Sequence, residues 1–316
     1  MKLQTQIPLQ PEKYNPIDYH SKIVLIGSCF VEHIGNKLEY FKFQNLQNPF
    51  GILFHPLAIE NLIVNAINKK EYTESDLFFL NEQWHCYEAH SELSNVSKSE
   101  SLKELNHQIK IIHDSIVQAS HVIITLGTAW AYRHIETDQI VANCHKVPQK
   151  QFVKELLSIE TISESLQAIV SLIKSVNSKA VVMFTVSPVR HLKDGFVENT
   201  QSKAHLIAAI HEVVEPRNLT HYFPSYELMM DELRDYRFYE EDMIHPNTIA
   251  VNYIWEKFQD VWVAKEASKT MGEVDEIQKG LLHRPFNKNS EAYQQFLQNL
   301  ELKKRELNQR YPTIKF

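Results

Sequence analysis

The chain has 316 residues, is 43% hydrophobic and carries a formal net charge of -6. That length allows one large domain or two small ones, and the apolar content is enough for a full core. The acidic balance argues against a nucleic-acid partner, which calls for a basic excess.

The first segment, Met1 to Pro8, lacks the apolar core of an export signal. No stretch approaches about 18 consecutive apolar residues, so no membrane span is expected. A cytoplasmic location follows as the expectation. Pro8, Pro11 and Pro16 keep residues 1–20 extended. Lys22 to Ile26 is a short apolar run of the kind a buried parallel strand uses, and Gly27 ends it. Val31, Ile34, Leu38 and Phe41 then recur at helical spacing over 31–43. Asn48-Pro49-Phe50-Gly51 is a turn, and Leu57 to Asn68 a helix. Residues 71–100 read as irregular, and Leu102 to Ala119 as an amphipathic helix.

A second buried strand, His121 to Leu126, is closed by Gly127. Residues 131–150 hold a hairpin ending in Asn143-Cys144-His145-Lys146, and residues 152–176 read as helical. Ala180 to Val186 is a third buried strand ended by Ser187-Pro188. A helix over 199–215, a short strand at Tyr222-Phe223 and a helix from Glu227 to Arg234 follow. The loop Asp242 to Asn247 opens a last long helix, Thr248 to Val263.

Strands alternating with helices at this spacing predict a parallel α/β sheet, most simply a three-layer α/β/α sandwich. In such sheets the site lies at the carboxyl ends of the strands, where Gly27-Ser28-Cys29, Gly127-Thr128 and Ser187-Pro188 fall. Residues 1–263 read as one domain. Residues 264–316, charged and without strand runs, read as a C-terminal helical extension.

Asp242 and His245 lie three residues apart. In a turn this brings the carboxylate to imidazole Nδ1, which fixes the tautomer and leaves Nε2 as a general base. Read alone, the same loop is one in which Asp242 caps a helix. The Gly27-Ser28-Cys29 turn at a strand end adds a nucleophile, so the pair reads as catalytic. Three cysteines (Cys29, Cys86 and Cys144) at wide spacing do not suggest a disulfide framework. His85, Cys86, His90, Cys144 and His145 are zinc-capable, yet their spacing matches no finger or catalytic zinc motif. No Gly-rich phosphate loop is present, so no metal or cofactor is expected.

Gly27-Ser28-Cys29-Phe30 resembles the signature of the GSCFA-domain family. The resemblance continues through Asn48-Pro49-Phe50-Gly51, Leu126-Gly127-Thr128-Ala129-Trp130, Val141 to Lys146, Phe184 to His191 and Asp231 to Tyr239. It covers roughly residues 20–260. It implies a branch of the SGNH (GDSL-like) hydrolases, with a nucleophile after the first strand and an Asp-x-x-His near the end. Aligned on the superfamily's Gly-Asp-Ser, Cys29 takes the serine's place and Ser28 the aspartate's. A shift by one residue makes Ser28 the nucleophile instead, and both stay open. The oxyanion donors by motif order are the nucleophile's N–H and Gly51. The superfamily's third donor, an Asn, is absent from Gly127-Thr128-Ala129-Trp130, so Asn48, Asn143 or the Trp130 indole are its replacements. Arg190 and His191 follow the third strand, and Arg190 suits a carboxylate or phosphate on a substrate.

The expected activity is an acyl hydrolase or acyl transferase. It works through an acyl-enzyme on a small acyl ester or thioester, carried for example by a carbohydrate. Two other readings remain: a ligand-binding protein that keeps the fold without turnover, and a zinc-dependent protein.

Overall fold

A computed structural model describes residues 5–316. In chain order the elements are β1 (Lys22–Gly27), α1 (Phe30–Tyr40), β2 (Gln44–Gln47), α2 (Pro56–Ile67), β3 (Phe78–Leu80), β4 (Gln83–His85), α3 (Lys98–Gln118) and β5 (His121–Leu126). They continue with β6 (Trp130–His134), β7 (Gln139–Val141), β8 (Phe152–Leu156), α4 (Ile159–Val176), β9 (Val181–Val186), α5 (Phe196–Val213) and β10 (Thr220–Tyr222). The last are α6 (Ser225–Glu227), α7 (Thr248–Trp262), α8 (Lys265–Leu282) and α9 (Glu291–Arg310).

Five strands form a parallel sheet in the order β10-β9-β5-β1-β2. Alternation along each strand feeds two cores. Val24, Ile26, Val122, Ile124, Val182 and Phe184 point to one face and pack under α2, α3, α4 and α5. Ile23, Leu25, Ile123, Val181 and Met183 point to the other and pack under α1 and α7. This is a three-layer α/β/α sandwich. The C-terminal helices complete the second core, through Met271, Val274 and Ile277 of α8 and Leu300 and Leu307 of α9. Tyr40 Oη donates to Asp275 at 2.9 Å and Gln278 Nε2 to Tyr40 O at 2.9 Å, so α8 is tied to the end of α1. Among the described residues no helix is long and apolar enough to cross a membrane.

Several local expectations are corrected. Residues 152–156 are not helical: they form β8, which joins β6 and β7 in a separate antiparallel sheet. Ser158, whose hydroxyl accepts from Thr161 N–H at 3.1 Å, starts α4 only at Ile159. The stretch 71–100 holds the β3–β4 hairpin, turned at Asn81 and Glu82 with both residues in the left-handed region. β2 is an edge strand whose one apolar residue is Leu46, so it carries no apolar run. The helix over Glu227 to Arg234 is a single α turn followed by a π turn, Leu228–Glu232. The other predicted strands and helices stand, with ends shifted by a few residues.

The chain runs β1 to β2 with α1 on one face, then returns to β5 with α2 and α3 on the other. The strand order therefore reverses between β1 and β5, and this switch point is where an open α/β sheet forms its crevice. Gly27 sits at its edge with φ +143. A Cβ there would stand 2.1 Å from Thr125 O. Both the dihedral and the space demand glycine. Gly27→Ala is expected to cost about 3–5 kcal/mol of unfolding free energy. Urea denaturation checks this, and a variant within 1 kcal/mol of the parent would refute the close approach.

Candidate active site

Ser28 and Cys29 turn the chain from β1 into α1. The two candidate nucleophiles end up in different places. Ser28 is wholly buried, and its Oγ meets no hydrogen-bond partner. Cys29 is the N-cap of α1, and its thiol is partly exposed in the main cavity. Burial and then Glu32 push the thiol up from its ordinary value, while Lys203 and the backbone N–H groups of Cys29 and Phe30 pull it down.

Across the cavity, His245 Nδ1 lies 2.6 Å from Asp242 Oδ2. Asp242 Oδ1 also accepts from the N–H groups of Ile244 at 2.8 Å and His245 at 3.0 Å. These bonds, led by the His245 N–H, hold the Asp242 carboxyl down to about 2. The turn needs Met243 at φ 60, a left-handed conformation uncommon for such a side chain. It is pinned from both sides: Glu240 N–H donates to His245 O at 2.8 Å, and Arg190 N–H to Ile244 O at 3.2 Å. Asn247 then caps α7. With Nδ1 committed to Asp242, Nε2 is the ring nitrogen left for the cavity.

The cavity encloses about 750 Å³. Phe54, Trp130, Tyr132 and Phe152 form an aromatic wall, built largely by the β6–β7–β8 sheet. Arg190, Lys146 and Lys193 supply positive charge. The Arg190 guanidinium lies 4.2 Å over the Tyr239 ring, and no carboxylate among the described residues pairs with it. Asp194, the acidic group of the lining, forms an ion pair with Lys154.

The proposed oxyanion donors divide. Gly51 N–H donates to Asn48 O at 2.7 Å, and Gly51 packs against His90, outside the cavity lining. The Gly51 N–H is therefore already bonded within its own turn. Asn48 Oδ1 accepts from Gly27 N–H at 2.9 Å, so this side chain braces the Gly27-Ser28-Cys29 turn. Thr128 and Trp130 line the cavity, but their donors are engaged. Thr128 Oγ1 pairs with Ser202 Oγ at 3.0 Å, and the Trp130 indole donates to Glu198 O at 3.4 Å. Asn143 accepts from His145 N–H at 2.8 Å through Oδ1, and its NH2 has no protein acceptor among the described residues. Asn143 and the Cys29 N–H are the donors that remain.

His191 stands beside Gly127, with Nε2 3.2 Å from where a Gly127 Cβ would lie. Burial first, then the nearby Lys203 and His245, push His191 down to about 3, so its ring is neutral. Among the described residues no group of three His, Cys, Asp or Glu side chains gathers as a metal ion would require. Both His85 nitrogens are already hydrogen-bonded, to Ser94 Oγ and Leu80 O.

The sequence reading missed Lys203. It sits on α5 in the buried stripe Asn199, Lys203, Leu206, Ile210, a helical spacing that would have flagged a lysine on an apolar face. It also missed His55, the N-cap of α2. His55 Nδ1 accepts from Ala58 N–H at 3.2 Å and Nε2 donates to Val141 O at 3.1 Å, tying α2 to the cavity wall.

A model described as the GSCFA family matches residues 22–258, and one described as the GSCFA domain protein, C-terminal domain, matches residues 274–316. The chain belongs to the GSCFA family. No curated protein matches it.

Burial lowers His55 to about 4, against an ordinary value near 6.5. The unfolded chain then binds a proton that the fold refuses, so stability is full above about pH 6.5 and is lost as pH falls towards 4. His145 and His191 act in the same direction. Between pH 7 and pH 4.5, His55 alone is expected to remove about 2–3 kcal/mol. His55→Asn keeps the cap and should flatten the stability profile over that interval by this amount in urea titrations. An unchanged slope would refute the assignment.

Proposed function

We propose that the chain is an ester or thioester hydrolase, or an acyl transferase, of the SGNH (GDSL-like) type, working through an acyl-enzyme on Cys29. One observation carries the reading. Cys29 and His245 line the same cavity at the switch point of the sheet, and Asp242 holds the imidazole by Nδ1 at 2.6 Å.

The chemistry follows from those three side chains. His245 Nε2 takes the Cys29 proton as Sγ attacks the acyl carbonyl. The negative charge on the carbonyl oxygen is met by the Cys29 N–H and the Asn143 NH2. The tetrahedral adduct collapses to a thioester, and the departing alkoxide or thiolate takes the proton back from His245. Water, or a sugar hydroxyl in a transferase, then gives its proton to His245 and attacks the thioester, and Sγ leaves and is reprotonated. Asp242 stabilises the imidazolium formed in each half. The aromatic wall and the cationic rim suit a small acyl ester on a carbohydrate, the rim meeting any carboxylate or phosphate the substrate carries.

One observation favours a binding protein on the same fold. Ala129 stands where the superfamily has its Asn, and Gly51 N–H is already bonded. Removing a single oxyanion donor costs on the order of 100-fold or more in rate.

The deciding experiment is peptide-resolved mass spectrometry after brief exposure to an activated acetyl donor. The hydrolase reading expects an acetyl adduct on Cys29, labile to neutral hydroxylamine and absent from His245→Ala. Asp242→Asn should slow its formation by roughly 10³–10⁴-fold with the fold intact. A hydroxylamine-resistant adduct on Ser28 would move the nucleophile. No adduct from any donor, with ligand binding indifferent to Asp242→Asn, would favour the binding protein.

A further inference from the structure

Lys203 is 1% exposed. A buried ammonium is costly unless something compensates its charge. Its Nζ donates to Gly127 O at 2.6 Å and Ser187 O at 2.8 Å, the carbonyls just beyond β5 and β9. Gly127 in turn packs against Ser28, with Ser28 Cβ 3.2 Å from the position of a Gly127 Cβ. The lysine head therefore lies at the carboxyl edge of the sheet, beside the turn that carries the nucleophile. Among the described residues no carboxylate forms an ion pair with it. The Tyr226 ring lies 5.8 Å from Nζ, and Cys29, the residue after Ser28 in that turn, is the nearest anion-forming group along the chain.

We infer that Lys203 is the charge partner of the Cys29 thiolate, a positioning residue that stabilises the nucleophile from beneath the β1–α1 turn. Its value for turnover rests on Cys29 being the nucleophile; the charge partnership itself does not. The groups facing the pair are Glu32 on α1, His191 beyond β9, Tyr226 on α6 and His245 across the cavity. Burial lowers the Lys203 amine to about 7, and the thiolate opposes that fall. Lys203 thus carries its charge below about pH 7 and loses it above. The thiolate is favoured most strongly where it is scarcest.

This gives the pH profile of Cys29 alkylation an unusual form. A lone thiol gives one line of unit slope below its titration point. A thiol beside a cation that disappears near pH 7 gives two such segments joined by a shoulder. The measurement is the rate of iodoacetamide labelling of the full chain at Cys29, resolved by peptide, from pH 5.5 to 9. Burial holds Cys86 up at about 12 and Cys144 at about 11, so both report as slow controls.

The wild type is expected to show the shoulder. Lys203→Met, close in shape and uncharged, should label about tenfold or more slowly at pH 6 and converge with the wild type above about pH 8. A folded Lys203→Met with the wild-type profile would reduce Lys203 to a structural tie and overturn the inference. So would a shoulder that disappears in His245→Gln but survives in Lys203→Met, since it would belong to the imidazole. If Lys203→Met does not fold, the wild type still decides: a single straight slope overturns the inference. A shoulder without any acyl-enzyme would keep the charge partnership and defeat the hydrolase reading, and an acyl-enzyme without a shoulder would do the reverse.

Discussion

The geometry of the site depends on the close approach of β1 to β5 at Gly27. Its N–H donates to Asn48 Oδ1, its carbonyl accepts from Leu53 N–H at 3.0 Å, and its Cα faces the Thr125 carbonyl with no room for a side chain. That carbonyl also accepts from Ser28 N–H at 3.0 Å. Asn48, Leu53 and Thr125 thus converge on one residue without a side chain. The turn that follows has a single course available to it: Ser28 inwards, Cys29 outwards to the cavity. Backbone packing, more than any side-chain contact, decides which of two adjacent nucleophilic side chains reaches the cavity.

The opposite wall is organised by different means. The Asp242–His245 turn is half-exposed and has little core of its own, so hydrogen bonds set its shape. The Arg190–Ile244 backbone bond links it to the segment after β9, and Asn247 links it to α7 and to Arg237 O. One wall is held by close packing and the other by a lattice of polar contacts.

What the sequence made legible was local. β1, β5 and β9 announce themselves as apolar runs because both faces of a central parallel strand are covered. The Asp242–His245 contact is a matter of i to i+3 spacing. Where the reading failed, the missing information lay elsewhere in the chain. Phe152 to Leu156 has no period long enough to separate strand from helix, and its identity comes from pairing with Trp130 to His134. Lys203 shares a helical spacing with Leu206 and Ile210, and the packing of α5 on the sheet is what turns that spacing into burial of the charge.

The second core has a consequence for the order in which the molecule is made. Phe30, Val31, Ile34 and Leu38 of α1 are synthesised early, yet the α7 and α8 side chains that cover them emerge more than two hundred residues later. For most of translation α1, which follows the Ser28-Cys29 turn, has an apolar face that the later helices have yet to cover. The helix beside the Ser28-Cys29 turn is thus made well before the helices that cover it, and chaperones acting on the nascent chain would meet its apolar face.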